Sequence, residues 1–279
     1  MKFVQYQRCD MSIRNQQGRS LAKQGGFTLV EMAIVLVIIG LILGAVMIGR
    51  DAQRNAQYVK IRQTFINQWA EVYDAYLQRT GVPVGDDPTA PRLMVNGAHY
   101  SGNGSQLSGG NMTGVTPPPA ICHANVGPGM SRTAETARGY DLRDLILEAG
   151  IELPEGRGQG MEDRYVYTDT NGNPQELQVC FQWNPPDTKS GSGNVMVITG
   201  LEADLARSIA ASINGNGGAS SGSFRQEGVA TGAGDNEALD WTGNNTQSYG
   251  QQVGNATTVT EGTREAQVLT FVANYKMIQ

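Results

Sequence analysis

The join at Lys23-Gln24-Gly25-Gly26-Phe27-Thr28-Leu29-Val30-Glu31 constrains this chain more than any other feature. A short basic segment ends in Gly-Gly, and an apolar run then extends to Ile48 with no Pro, Lys, Arg or Asp in it. As a helix, Phe27 to Ile48 spans roughly 33 Å, enough to cross the hydrocarbon core of a bilayer. The run carries one carboxylate, Glu31, five residues from its start. A charge inside a membrane span is costly and asks for a partner. The simplest partner is the positive N-terminus of a neighbouring copy. An ordinary secretory signal has a shorter apolar core, with its cleavage site after it. Here the plausible site, Gly25-Gly26, lies before the run, so cleavage removes a polar leader and leaves the apolar helix on the mature protein.

Charge is distributed to match. The 279-residue chain has a formal net charge of −5. Residues 1–26 hold five basic side chains (Lys2, Arg8, Arg14, Arg19, Lys23) and one acid, Asp10. The remainder has 16 basic and 25 acidic residues, which makes it a poor generic polyanion binder, and no nucleic-acid partner is expected. The basic leader favours a cytoplasmic N-terminus, with the body across the membrane. Of three cysteines, Cys9 leaves with the leader. Cys122 and Cys180 remain on the oxidising side, where a disulfide is expected; the alternative is two separate buried thiols. Such a bridge would contribute roughly 4 kcal/mol by the chain-entropy argument.

Gly26-Phe27-Thr28-Leu29-Val30-Glu31, followed by Met32-Ala33-Ile34-Val35-Leu36-Val37-Ile38-Ile39-Gly40, resembles the class III signal of type IV pilins and type II secretion pseudopilins. The resemblance covers roughly residues 19–80. It implies that a membrane prepilin peptidase cuts between Gly26 and Phe27 and that Phe27 becomes N-methylated. It also implies that Glu31 is the assembly glutamate. The Pro that often kinks this helix is absent, with Ile48 in its place, and Gly40, Gly44 and Gly49 are the candidate points of loosening during packing.

Beyond the span the pattern stays helical to Thr80. Ile61, Phe65, Trp69, Val72 and Tyr76, interleaved with Ala56, Tyr58, Ile66, Tyr73 and Leu77, recur near a 3.6-residue period, and Gly81-Val82-Pro83 ends it. Residues 27–80 would make a rod of roughly 80 Å. The aromatic residues read as core for a globular head rather than a ligand box. Arg50, Arg54, Lys60 and Arg62 read as a solvated face, with acidic lipid or a neighbour's acids as alternative partners.

Residues 81–279 form the expected head. A Gly/Pro/Asn/Ser-rich connection over 81–130 precedes a short helix from Asp141 to Ala149, capped by Asp141 and stopped by Gly150. Residues 164–168 and 177–183 flank a turn at 169–174, and a further strand covers 194–199. An amphipathic helix is expected from Leu201 to Ile213, an irregular stretch over 214–262, and a closing strand from Gln267 to Tyr275. The fold class is therefore α+β: a long N-terminal stem helix, transmembrane over 27–48, packed on an antiparallel sheet.

Other candidate chemistry is thin. Asp169-Thr170-Asn171-Gly172-Asn173 superficially resembles a calcium loop but lacks the twelve-residue pattern, and a hairpin turn is the simpler reading. Asp235, Glu237 and Asp240 form a second acidic cluster. His99 and His123 have no zinc-ligand spacing. Asn103, Asn111, Asn244 and Asn255 lie in Asn-x-Ser/Thr triplets of the kind expected by chance. No enzyme, metal or cofactor constellation is expected. The reading is a structural subunit of a type IV pilus, minor or specialised, held first in the inner membrane and then in an extracellular fibre. Its partners would be prepilin peptidase, other pilin subunits, the inner-membrane assembly machinery and, before assembly, lipid. A type II secretion pseudopilin is the first alternative. A membrane-tethered adhesin or DNA-uptake receptor, in which Glu31 would be dispensable, is the second.

Overall fold

The structure is a computed structural model that describes residues 27–100, 106–112, 114–123, 141–228, 240–241 and 270–278. The leader and Gly26 lie outside these, as do Asn103, Asp235, Glu237, Asn244, Asn255 and residues 267–269. The chain forms two compact units, Met1–Ala52 and Gln53–Gln279.

The N-terminal helix runs from Leu29 to Thr80: α1 (Leu29–Ile61), a π-helical turn (Arg62–Ile66) and α2 (Asn67–Thr80). It is continuous at Gly40, Gly44 and Gly49. Irregularity falls instead at the π-turn, where the Asn67 N–H donates to the Arg62 carbonyl. The Thr64 hydroxyl donates to the Lys60 carbonyl at 2.9 Å, competing with the regular backbone ladder. The turn has a packing consequence. Apolar residues at 61, 65, 69 and 73 are four apart, and an α-helix would carry such a row gradually around its axis. The wider π-turn holds the row on one face, so Ile61, Phe65, Ile66, Trp69 and Tyr73 are all essentially inaccessible. Ala56, placed on this face by the sequence pattern, is exposed. Gly81 closes α2 in the left-handed conformation, its N–H on the Leu77 carbonyl.

That face packs on a five-stranded antiparallel sheet, ordered β1-β2-β3-β5-β4. The strands are β1 (Arg164–Thr168), β2 (Pro174–Asn184), β3 (Gly193–Glu202), β4 (Phe224–Gln226) and β5 (Thr270–Lys276). Alternation along β2 sends Leu177, Val179, Phe181 and Trp183 into the same core as the helix residues. Tyr73 and Trp69 meet Phe181 at ring-centroid distances of 5.2 and 6.2 Å, and Phe65 meets Tyr165 at 5.4 Å. The remaining helices are α3 (Leu142–Glu148), whose N-cap Asp141 accepts from the Arg143 N–H, and α4 (Ala203–Asn214).

Two expectations are corrected here. The amphipathic helix starts at Ala203, not Leu201: β3 continues to Glu202, with a bulge between Ile198 and Leu201. Leu201 contributes to the core from the strand. The bulge needs Gly200, which has φ +81° and lies so close to β2 that a Cβ would overlap the Glu176 carbonyl oxygen. The stretch after Asn214 is also not wholly irregular, since Phe224–Gln226 adds edge strand β4. Phe224, Phe271 and Trp241 pack around that edge, and the Trp241 indole donates to the Gly217 carbonyl at 2.9 Å.

Cys122 and Cys180 are joined in a disulfide, with Cα atoms 4.8 Å apart. An isolated pairing of Ile121 with Phe181 brings them together by extending the sheet alongside β2 beyond the end of β1. Gly200→Ala is expected to destabilise the protein by about 2–4 kcal/mol, through strain at positive φ and displacement of β2. Thermal unfolding of the detergent-solubilised variant checks this, and an unchanged midpoint would contradict the stated role of the bulge.

Candidate functional site

The N-terminal turn of α1 carries the first candidate. Thr28 precedes Leu29 as the N-cap, and Glu31 stands three residues on. The Thr28 Oγ1 accepts from the Glu31 N–H at 3.2 Å, and Glu31 Oε2 accepts from the Thr28 N–H at 2.8 Å and from its hydroxyl at 3.0 Å. This reciprocal arrangement is a capping box, which satisfies two backbone donors that a helix start otherwise leaves open. The helix dipole also favours a negative group in this first turn. Glu31 is therefore not without a partner in its own chain. Both Thr28 bonds use Oε2, and Oε1 makes no hydrogen bond among the described residues.

From Met32 to Ile48 the helix exposes an apolar surface. Phe27 is 80 % accessible and Leu29 90 %. Leu29, Val30, Ala33, Ile34, Val37 and Ile38 outline a shallow concavity on one side, with Ala33 as its notch. Gly40 and Gly44 are one turn apart, and a Cβ on either would meet nothing within 4 Å. Small residues at this spacing let a second helix approach closely. The helix is long and apolar enough to cross a membrane.

In the second unit, buried carboxylates organise the junction of helix and sheet. Glu202 is 1 % exposed; its Oε1 accepts from the Tyr58 hydroxyl at 2.7 Å and its Oε2 from the Thr170 N–H at 3.0 Å. Tyr167 completes the network, accepting from the Glu202 N–H and donating to the Gly200 carbonyl. Burial, with the Glu202 carboxylate alongside, pushes the Tyr58 phenol well above its usual range. Asp86 accepts backbone N–H bonds from Asp87, Arg92 and Leu93 and so fixes the loop after α2.

Three of the other candidate residues, Asp169, Asp240 and His123, take part in local structure. Asp169 accepts from the N–H groups of Asn171 and Asn173 and from the Gln175 amide, so the calcium-like stretch is a side-chain-braced hairpin turn. Asp240 pairs with Arg207 at 2.8 Å. His123 Nδ1 lies 2.8 Å from Asp141 Oδ1. Burial alone would lower the His123 pKa; the Asp141 hydrogen bond and charge outweigh it and raise the value. Among the described residues, no group of three His, Cys, Asp or Glu is placed to hold a metal.

Asp163, 1 % exposed, is pushed up to about 6 by burial, against the opposing pull of a Gln178 amide bond and the nearby Arg164 and His123. Its Oδ1 has no hydrogen-bond partner among the described residues. A raised carboxyl pKa means that the folded state holds the proton more tightly than the unfolded chain. This contribution is favourable to folding at low pH and is lost as pH rises through about 6. Asp163→Asn is therefore expected to flatten the stability profile between pH 5 and 7.5 by about 1–2 kcal/mol, read from denaturant titrations at each pH. Parallel profiles for wild type and variant would refute the assignment.

Residues 21–47 match the family model of the prokaryotic N-terminal methylation motif. Neither a curated protein nor a solved structure matches the chain. The match spans the capping box, the apolar concavity and the Gly40/Gly44 notch. The chain thus carries, on a pilin-like α+β fold, the N-terminal signal shared by type IV pilins and pseudopilins.

Proposed function

We propose that this chain is a structural subunit of a type IV pilus, minor or specialised, assembled through its N-terminal helix after processing. The methylation motif over residues 21–47, with Glu31 in the first helical turn, carries the reading. Prepilin peptidase would cut between Gly26 and Phe27 and methylate the new amine, which keeps its positive charge. Until assembly the apolar helix is solvated by inner-membrane lipid, with the head on the far side. The assembly machinery then moves the helix from lipid into a bundle of like helices. No hydrophobic gain accompanies that transfer, because lipid and neighbouring side chains are equally apolar. Specificity must come from polar registration and close packing.

Glu31 supplies the registration. Its capping bond holds the carboxylate in a fixed pose one turn from the chain end, with Oε1 uncommitted. The ammonium of Phe27 on another copy can approach that oxygen without breaking the cap. At an effective dielectric near 20 such a pair attracts by about 4 kcal/mol at 4 Å, before desolvation is subtracted. Because the pair forms at one axial offset only, it sets how far each helix slides along its neighbour. The large head, residues 81–279, favours a minor or specialised subunit over an abundant major one.

The test separates cap from charge. Glu31→Gln can keep the Thr28 hydrogen bond but loses the charge. It is expected to enter filaments as poorly as Glu31→Ala while both still insert in the membrane. Normal incorporation of the Gln variant, by quantitative immunoblot of sheared filaments, would remove the ion-pair role. Mass spectrometry of the same preparation should find the chain beginning at N-methylated Phe27. Its recovery only from periplasmic fibres would favour the pseudopilin alternative.

A further inference from the structure

We propose that copies of this chain contact one another head to tail through segregated charge. The end of the helix that carries Lys60 and Arg62 in one copy faces the acidic surface formed by Asp144, Glu148, Glu152 and Glu155 of the next. This rests on the filament reading above and adds the identity of the contact.

The two surfaces belong to the same compact unit but lie at opposite ends of its helix. Lys60 is exposed and Arg62 half-buried at the π-turn. The acids project from α3 and the segment after it, and all four are exposed. Arg79, near the end of α2, donates to the Gly150 carbonyl at 2.6 Å and pins that segment to the far end of the helix. The helix between Arg62 and Arg79 is roughly 25 Å long. Neither surface can reach the other within one copy.

The charges are also unspent. None of these six residues forms an ion pair among the described residues, whereas four arginines of the head do. Arg143 is paired with Glu162, Arg157 and Arg164 both hold Glu176, and Arg207 holds Asp204 and Asp240. Arg79, beside the acids, has no acidic partner among the described residues, and a backbone carbonyl engages it. Each surface includes an exposed apolar residue: Val59 beside Lys60 at 39 % and Leu147 among the acids at 43 %. Charged groups around a small apolar centre match the rim-and-core anatomy of protein interfaces.

Complementary surfaces at opposite ends of one body make a heterologous contact, which generates an open helical array. A second copy displaced along the helix by roughly the same 25 Å brings acid to base. A copy placed level with the first sets like charge beside like charge, which disfavours that register. The contact therefore acts in the head as Glu31 acts in the bundle, selecting one axial offset.

Lys60 makes this testable, since it is the only lysine between Lys23 and Lys189. Filaments from cells moved from ¹⁵N to ordinary medium shortly before harvest, so that one membrane pool holds both isotopes, are treated with a carbodiimide that joins amines to adjacent carboxylates. The expected product is a mixed-isotope peptide pair joining Lys60 to Asp144, Glu148, Glu152 or Glu155. Links from Lys60 only to another protein, or no link from Lys60 in filaments that contain the chain, overturn the proposal and leave the filament reading intact. Absence of the wild-type chain from filaments overturns both. In parallel, Lys60→Glu with Arg62→Glu should lower incorporation about tenfold, and adding Glu148→Lys with Glu152→Lys should restore it. Normal incorporation of the first variant, or no rescue by the second when both are processed and oxidised normally, overturns the contact.

Discussion

One side of one helix holds the described head together. Ile61, Phe65, Ile66, Trp69 and Tyr73 are inaccessible because a twisted sheet lies against them, and Leu177, Val179, Phe181 and Trp183 are inaccessible for the same reason. Neither surface would be stable alone: the helical row is too apolar for water, and a sheet with that row of side chains needs cover. Burial of several large aromatic and aliphatic side chains, each contributing about 1.5–3 kcal/mol, gives this interface its weight. The π-turn is the geometric condition for it, keeping residues four apart on a common line.

Polar groups inside the interface fix its register. Tyr58 reaches Glu202 at the end of β3, the Trp69 indole donates to the Glu162 carbonyl, and the Tyr73 hydroxyl donates to the Ile278 carbonyl near the chain end. These bonds tie three successive levels of the helix to the end of β3, the segment before β1 and the segment after β5. Each would leave a buried polar atom unsatisfied if the helix slid by a turn, a penalty of roughly 1–3 kcal/mol apiece. The helix that is expected to slide past its neighbours during assembly is thus held against sliding on its own head.

Much of this was legible in the residues. The apolar run, the aromatic row, the β1–β2 hairpin and the Asp141 cap follow from local patterns that act over a few positions. What escaped depends on distant partners. Leu201 reads as the first residue of a helical stripe and lies in β3, because a bulge at Gly200 carries the strand further. Strand β4 is three residues in a Gly/Ser-rich setting and exists because β5 pairs with it. The π-turn has no strong local signal beyond Thr64. At the candidate site the Thr28-x-x-Glu31 pattern is present in plain form, yet a carboxylate in an apolar run points first to another chain. The structure adds the nearer partner and leaves Oε1 without a hydrogen bond among the described residues.

The cross-link between Cys122 and Cys180 bears on what happens when the protein is pulled. It encloses 58 residues of sequence separation, including α3 and β1. Fully drawn out, that stretch would lengthen the chain by roughly 200 Å. With the bridge closed, tension applied at the helix and resisted at the outer surface cannot pay out that slack. Mechanical extension of an oxidised subunit should therefore end far short of that of a reduced one.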